Sequence, residues 1–529
     1  MKKALLALVT FAALCVVASS SSAGAGEPSS DEYTTIQQMA AQFAPYSCAS
    51  DRNQREALRS FKSKSAPWWF HATNSYIETY HGVFACGFNE QSYSDIMTNL
   101  NTAMTDGVRT LLIFAHGGLV PGASGFSGAV AALNGFFPSP GPNPGPSTET
   151  LNAYPIFLVW HTGLGESVSG SWFGSNERQS SPHGLYNRKA AFEADVAQRA
   201  ADGTSHNLDP SDDSWMQLDP AADLNARETF FRMYNVFNVL HIWHFMIDEA
   251  EDTVNPKIQD AAGTRLIAKI AELHRQDPGF KVVLVGHSAG AILISALIEQ
   301  YDRYIAEHPG AEGSNGPMNF DVIFMAPAVS YMRFERALRT GRIANFRMFT
   351  MNDTCERHDH VTALDTPVPS ASPSPGTVAP SPSPTSLAQR IQADSYPSSL
   401  LYFISGVLHI YPDYPLLGLS RYLHTQTGEY EENLLMQDVQ TRLMWYKAPI
   451  VLAPTFGSPP LGERSNAYRH GYFANDPATL SSVVNFTNHE LENEPASPGQ
   501  STLPPDTPPP SPAPSGFHGC YDATSSTAL

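Results

Sequence analysis

The stretch that decides the reading is "KVVLVGHSAGAILISALI", Lys281 to Ile298. An apolar run with strand character meets an apolar run with helix character. A serine sits at the junction, with glycines two positions before and after it. A packed core has no use for a small polar residue between two glycines. A tight strand-to-helix turn that lifts a hydroxyl toward a ligand does, because glycine lets the backbone bend and neighbours approach closely. The helix that follows also aims free N–H groups and its positive end at developing negative charge.

Working outward, five more short apolar runs share the strand character of 281–285. They are "VRTLLIFAHGG" from residue 108, "YPIFLVWHTG" (154–163), "FDVIFMAPA" (320–328), "ANFRMFTMND" (344–353) and "APIVLAPT" (448–455). Runs of this length, apolar on both faces, are the pattern of parallel strands covered on both sides. Between them, residues 227–252, 255–276 and 289–308 repeat apolar positions at intervals of three and four, the helical period. Alternation of the two predicts an α/β fold with a mostly parallel sheet. "YIETYHGVFACGF" (76–88) and "APWWF" (66–70) are candidates for first strands.

The remaining punctuation is loop-like. Residues 137–150 are rich in Pro and Gly, and 163–226 are polar without period. Residues 366–386 form a Pro/Ser insertion of low complexity, and 491–529 a Pro/Ser-rich tail. Residues 398–423 are apolar but broken by Pro412 and Pro415. They read equally as a helical lid over a site or as an ordinary packing segment.

Met1-Lys2-Lys3, the apolar stretch Ala4 to Ala18 and the small residues Ala23-Gly24-Ala25 read as a secretory signal peptide over residues 1–25. Export to the periplasm or the outside is the expectation. No later stretch is long enough to span a bilayer. Removal of the signal takes Cys15 and leaves Cys48, Cys86, Cys355 and Cys520. That even count suits two disulfides, with Cys48–Cys86 the simplest pairing. The spacing fits no zinc site. A formal charge of -19 over 529 residues, without a basic cluster, argues against nucleic acid and anionic membranes as partners.

A serine nucleophile needs a base, an orienting acid and an oxyanion site. Ser288 is the nucleophile. Asp353 stands at the end of an apolar run and is the preferred acid, with Asp359 its rival and Glu356 a third choice. His470, in "NAYRHGYF", follows the last strand and is the base, ahead of His489 and His518. Ala289 N–H and the loop after Ala115, with Gly117 and Gly118, are the oxyanion donors. His116 is expected to hold that loop's shape.

"HGG", "GHSAG", the strand end at Asp353 and "RHG" occur in the chain order of the α/β-hydrolases, and residues 107–490 resemble that family. The resemblance implies acyl transfer through a covalent acyl-enzyme, without metal or organic cofactor. An ester, whether a small molecule or a lipid, is the expected substrate, as "HGG" resembles the oxyanion loop of esterases and lipases. A peptidase or amidase using the same triad, and a non-catalytic binding protein on the same fold, are the rival expectations.

Overall fold

Leu111, Leu112, Ile113 and Phe114 have no exposed face, and neither do Val282, Val283, Leu284 and Val285. Side chains that alternate to opposite faces of a strand can all be buried only in the middle of a sheet covered on both sides. The computed structural model gives that arrangement. It describes residues 48, 51–118, 122–138, 149–162, 242–258, 260–359, 398–409, 414–423, 434–455 and 459–489. The expected signal peptide, the Pro/Ser insertion, the tail and the polar stretch 163–226 lie outside the described residues.

The strands are β1 (Tyr76–Tyr80), β2 (Val83–Phe84), β3 (Thr110–Ala115), β4 (Tyr154–Trp160), β5 (Lys281–His287), β6 (Phe320–Met325), β7 (Ile343–Met351) and β8 (Ile450–Ala453). They form one sheet in the order β2-β1-β4-β3-β5-β6-β7-β8. Only the β1–β2 pair is antiparallel. The six runs read as central strands are β3 to β8, and 76–88 supplies β1 and β2. "APWWF" forms no strand.

The helices are α1 (Arg52–Arg59), α2 (Glu90–Thr105), α3 (Gly122–Phe136), α4 (Ile242–Thr253), α5 (Ala262–Gln276), α6 (Gly290–Glu307), α7 (Tyr331–Arg339), α8 (Asp353–His358), α9 (Leu400–Phe403), α10 (Leu434–Leu443) and α11 (Pro477–Asn488). The helical period beginning at 255 becomes helix only from Ala262. Asn255 to Ile258 are not helical, and Pro256 brings no N–H to such a segment. No described helix is long and apolar enough to cross a membrane.

Strand order places the site. From β3 the chain steps outward to β4, then crosses back past β3 to lay down β5 on the other side. The order therefore reverses between β3 and β5. In open α/β sheets ligands bind at the carboxyl ends of the strands at such a reversal. Ala115 and Gly286 are register partners at this point.

The segment 398–423 is packed in, as far as it is described. Leu401, Tyr402, Ile404, Val407, Leu416, Leu417, Leu419 and Tyr422 are buried. Leu417 N–H donates to Val329 O (2.9 Å) and Gly418 N–H to Pro327 O (3.0 Å), pinning it beside the loop that follows β6.

The N-terminal elements are held by charge as well as by packing. Cys48 and Cys86 form a disulfide, the pairing expected from their order. Beside it, Arg55 donates through Nε (2.8 Å) and Nη2 to the two oxygens of buried Glu78. Glu78 Oε1 also lies 3.0 Å from His161 Nε2. In the β1–β2 turn, His81 takes a positive φ of 48°. Its Nδ1 lies 2.8 Å from Glu249 Oε1, and its N–H donates to Glu249 Oε2 at 2.8 Å, fastening the turn to α4. Burial opposes the imidazolium, but the charge of Glu249 and hydrogen bonds to Asp252 and Glu249 outweigh it and raise His81 to about 10.

A folded-state value above the ordinary 6.5 means that this contribution is complete below pH 6.5 and is lost as pH rises through about 10. The stability advantage of wild type over His81→Gln in urea denaturation should therefore shrink steadily across that window. An advantage that is constant with pH would show that His81 is not held charged.

Candidate functional site

Ser288 follows β5 directly and adopts a positive φ of 52°, a costly conformation for a residue with a side chain. The backbone over-determines it. Ser288 N–H donates to Met325 O (2.8 Å), while Ala291 and Ala328 N–H donate to Ser288 O (3.1 and 2.9 Å). The two flanking glycines are steric requirements. A Cβ on Gly286 would sit 2.8 Å from Ala291 Cα, and one on Gly290 only 2.2 Å from Ala115 O. Strand β5, helix α6 and the end of β3 meet so closely that no side chain fits at either position.

His470 Nε2 lies 2.8 Å from Ser288 Oγ, and both residues are buried. The histidine is carried by a loop after β8 that Asp476 organises. Asp476 Oδ2 accepts from Asn466 N–H (2.7 Å) and Thr479 N–H (3.0 Å), and the residue caps α11 ahead of Pro477. Burial and the neighbouring His287 lower His470 to about 3. Its ring is therefore neutral at ordinary pH. With Nε2 accepting from the serine hydroxyl, the ring proton is on Nδ1, and Nδ1 has no hydrogen-bond partner among the described residues.

The three acids considered for that position all lie on the turn after β7, in different states. Tyr402 OH donates to Asp353 Oδ1. Glu356 is fully buried in α8. Burial raises it well above its ordinary value, and the Asp359 and Asp353 charges add to the rise. Asp359 Oδ2 accepts the backbone N–H of His470 at 3.0 Å. The structure thus brings Ser288 and His470 together and joins His470 to Asp359. It forms no hydrogen bond between His470 and Asp353. Cys355, buried in the same turn, is disulfide-bonded, with its partner outside the described residues.

The loop after β3 runs beside the serine. A Cβ on Gly117 would be 2.9 Å from Ser288 Cβ, and one on Gly118 would be 2.9 Å from Ala289 Cβ and 2.4 Å from Met246 Sδ of α4. Among the described residues, no acceptor is bonded to the N–H of Gly117, Gly118 or Ala289.

Sequence reasoning passed over His287. Its Nε2 lies 3.1 Å from His470 O and, facing a carbonyl, must donate. Its ring stacks on that of His470 at 5.7 Å between centroids. Burial lowers its pKa despite that hydrogen bond. Its place beside Ser288 in the motif was the only signal available, and the partner is 183 residues away.

No family model, curated protein or solved structure matches this chain.

A histidine neutral in the fold and charged when unfolded destabilises the fold in acid. His470 should withdraw stability as pH falls from 6.5 toward about 3. Guanidinium melts across that window should show a shallower decline for His470→Gln than for wild type. Parallel declines would contradict a buried, neutral His470.

Proposed function

We propose that the chain is a serine hydrolase of the α/β-hydrolase type that cleaves carboxylic esters. The 2.8 Å contact between His470 Nε2 and Ser288 Oγ carries the reading, because it joins a strained, strand-end hydroxyl to a neutral imidazole 182 residues away in sequence. As Oγ attacks the ester carbonyl, His470 takes the hydroxyl proton. N–H groups of Ala289, Gly117 and Gly118 receive the oxyanion, and His470 then protonates the departing alkoxide. Water, activated by the same imidazole, releases the acid from the acyl-serine and regenerates the hydroxyl.

Asp359, rather than Asp353, is the acid in this reading. Its carboxylate already accepts the backbone N–H of His470. Asp353 is engaged by Tyr402, and burial raises Glu356 well above the ordinary carboxylate range, against its ionised form. An ester suits the site because an alkoxide leaves more readily than an amine. Export follows from the N-terminal sequence, and the Cys48–Cys86 disulfide suits an oxidising compartment.

A fluorescent fluorophosphonate should label the wild type and not Ser288→Ala, and p-nitrophenyl ester turnover should vanish with the label. Asp359→Asn should lower kcat by about 10³- to 10⁴-fold, the scale for losing a triad acid, while Asp353→Asn should stay within about tenfold of wild type. A folded wild type that neither labels nor turns over would sink the hydrolase reading. The reverse ranking of the two aspartates would return the acid's role to Asp353.

A further inference from the structure

We infer that Trp160 and His116 form a clamp that sets the direction of the oxyanion-binding peptides at Gly117 and Gly118. The inference rests on the hydrolase reading above and adds two positioning residues to it.

The clamp follows from which atoms can donate. The backbone N–H of Trp160, the last residue of β4, points at His116 Nε2 across 3.2 Å. An amide N–H can only donate, so Nε2 is the lone-pair nitrogen of that ring. In the neutral imidazole the proton is then on Nδ1, which lies 2.6 Å from Gly117 O and donates to it. The indole Nε1–H of the same tryptophan donates to His116 O at 2.9 Å. Trp160 thus fixes the histidine tautomer with its backbone and the histidine carbonyl with its side chain.

Two successive carbonyls are held in this way, that of peptide 116–117 by the indole and that of peptide 117–118 by the imidazole. In a trans peptide the N–H points opposite the carbonyl, so fixing both oxygens also fixes the N–H vectors of Gly117 and Gly118. This control matters because a Gly-Gly pair has the widest backbone freedom of any dipeptide. A flipped peptide would present a carbonyl oxygen to the forming oxyanion and repel it. Both glycines lie against Ser288 and Ala289, so their direction bears on the reacting atoms.

The clamp is rigidly seated. Trp160 is fully buried and His116 nearly so. A Cβ on Gly125 of α3 would fall 2.7 Å from His116 Nε2, so that glycine makes room for the ring. The next residue, His161, donates its N–H to Thr79 O (3.2 Å) and joins the buried Glu78–Arg55 pair beside the disulfide. The indole is therefore anchored from the sheet side as well.

The decisive comparison is Trp160→Phe against wild type, with an ester substrate and a trifluoromethyl ketone that mimics the tetrahedral intermediate. Phenylalanine keeps an aromatic ring at this buried position and removes Nε1–H together with part of the indole's volume, so the ketone's affinity is read beside kcat. Misdirected donors should lower kcat by about 10²-fold, the scale of one lost oxyanion donor, with KM little changed. The ketone's affinity should fall by a similar factor, a coupling that general loosening of the fold would not produce. Thermal melts establish that each variant is folded.

His116→Ala and His116→Asn form an independent pair. The alanine should show the same kcat-specific loss. The asparagine amide can still donate to Gly117 O and should restore part of it. Wild-type kcat and ketone affinity in folded Trp160→Phe or His116→Ala would overturn the clamp and leave the hydrolase reading intact. A wild type without turnover would overturn both.

Discussion

Everything at the site depends on how closely β5 and α6 approach the end of β3. The backbone at Gly290 passes so near Ala115 O that not even a methyl group fits, and Gly286 is pressed against Ala291 in the same way. That contact forces the chain to reverse within two residues. The reversal places Ser288 at positive φ, with its carbonyl held by two N–H groups and its own N–H by Met325. The strain at the serine is stored by the packing around it. The same contact brings Gly117 and Gly118 beside the serine, so one steric constraint positions both the hydroxyl and the two glycine peptides.

The histidine reaches this point by a different kind of control. No strand delivers His470; it opens a short 3-10 turn, His470–Asn475, after a loop, and such segments need hydrogen bonds to be rigid. Asp476 supplies them from one side, holding Asn466 and Thr479. Asp359 and His287 supply them from the other, bonding to the backbone N–H and carbonyl of His470 itself. Three parts of the chain far apart in sequence thus converge on a single residue. The two imidazoles stack in a buried setting, and burial, with the neighbouring His287 adding to it, lowers His470.

The central sheet was legible because strands buried on both faces read as unbroken apolar runs, and all six expected runs became strands. The contact between Ser288 and His470 was legible because a motif and chain order marked both residues. Which acidic group would meet His470 was harder to read. Asp353, Glu356 and Asp359 lie within seven residues, so composition cannot tell them apart. What separates them is burial at Glu356, the Tyr402 hydroxyl at Asp353 and the His470 N–H at Asp359, all contacts with segments distant in sequence. α5 starts later than the period suggests because apolar spacing begins at Asn255 while Asn255 to Ile258 are not helical. The Trp160–His116 pair left no pattern, since it forms only when β4 is laid beside β3.

The strand order also bears on how the molecule is assembled. β3 is fully apolar toward both faces, and its partner on one side, β5, is encoded well over a hundred residues later. During synthesis, the amino-terminal half emerges with the future centre of its sheet as an open edge. Such an edge, with unpaired backbone groups and apolar faces, is a template for any other strand nearby. Correct pairing must therefore await a late segment, and the waiting chain is most vulnerable to aggregation at the strand that ends up deepest in the finished protein.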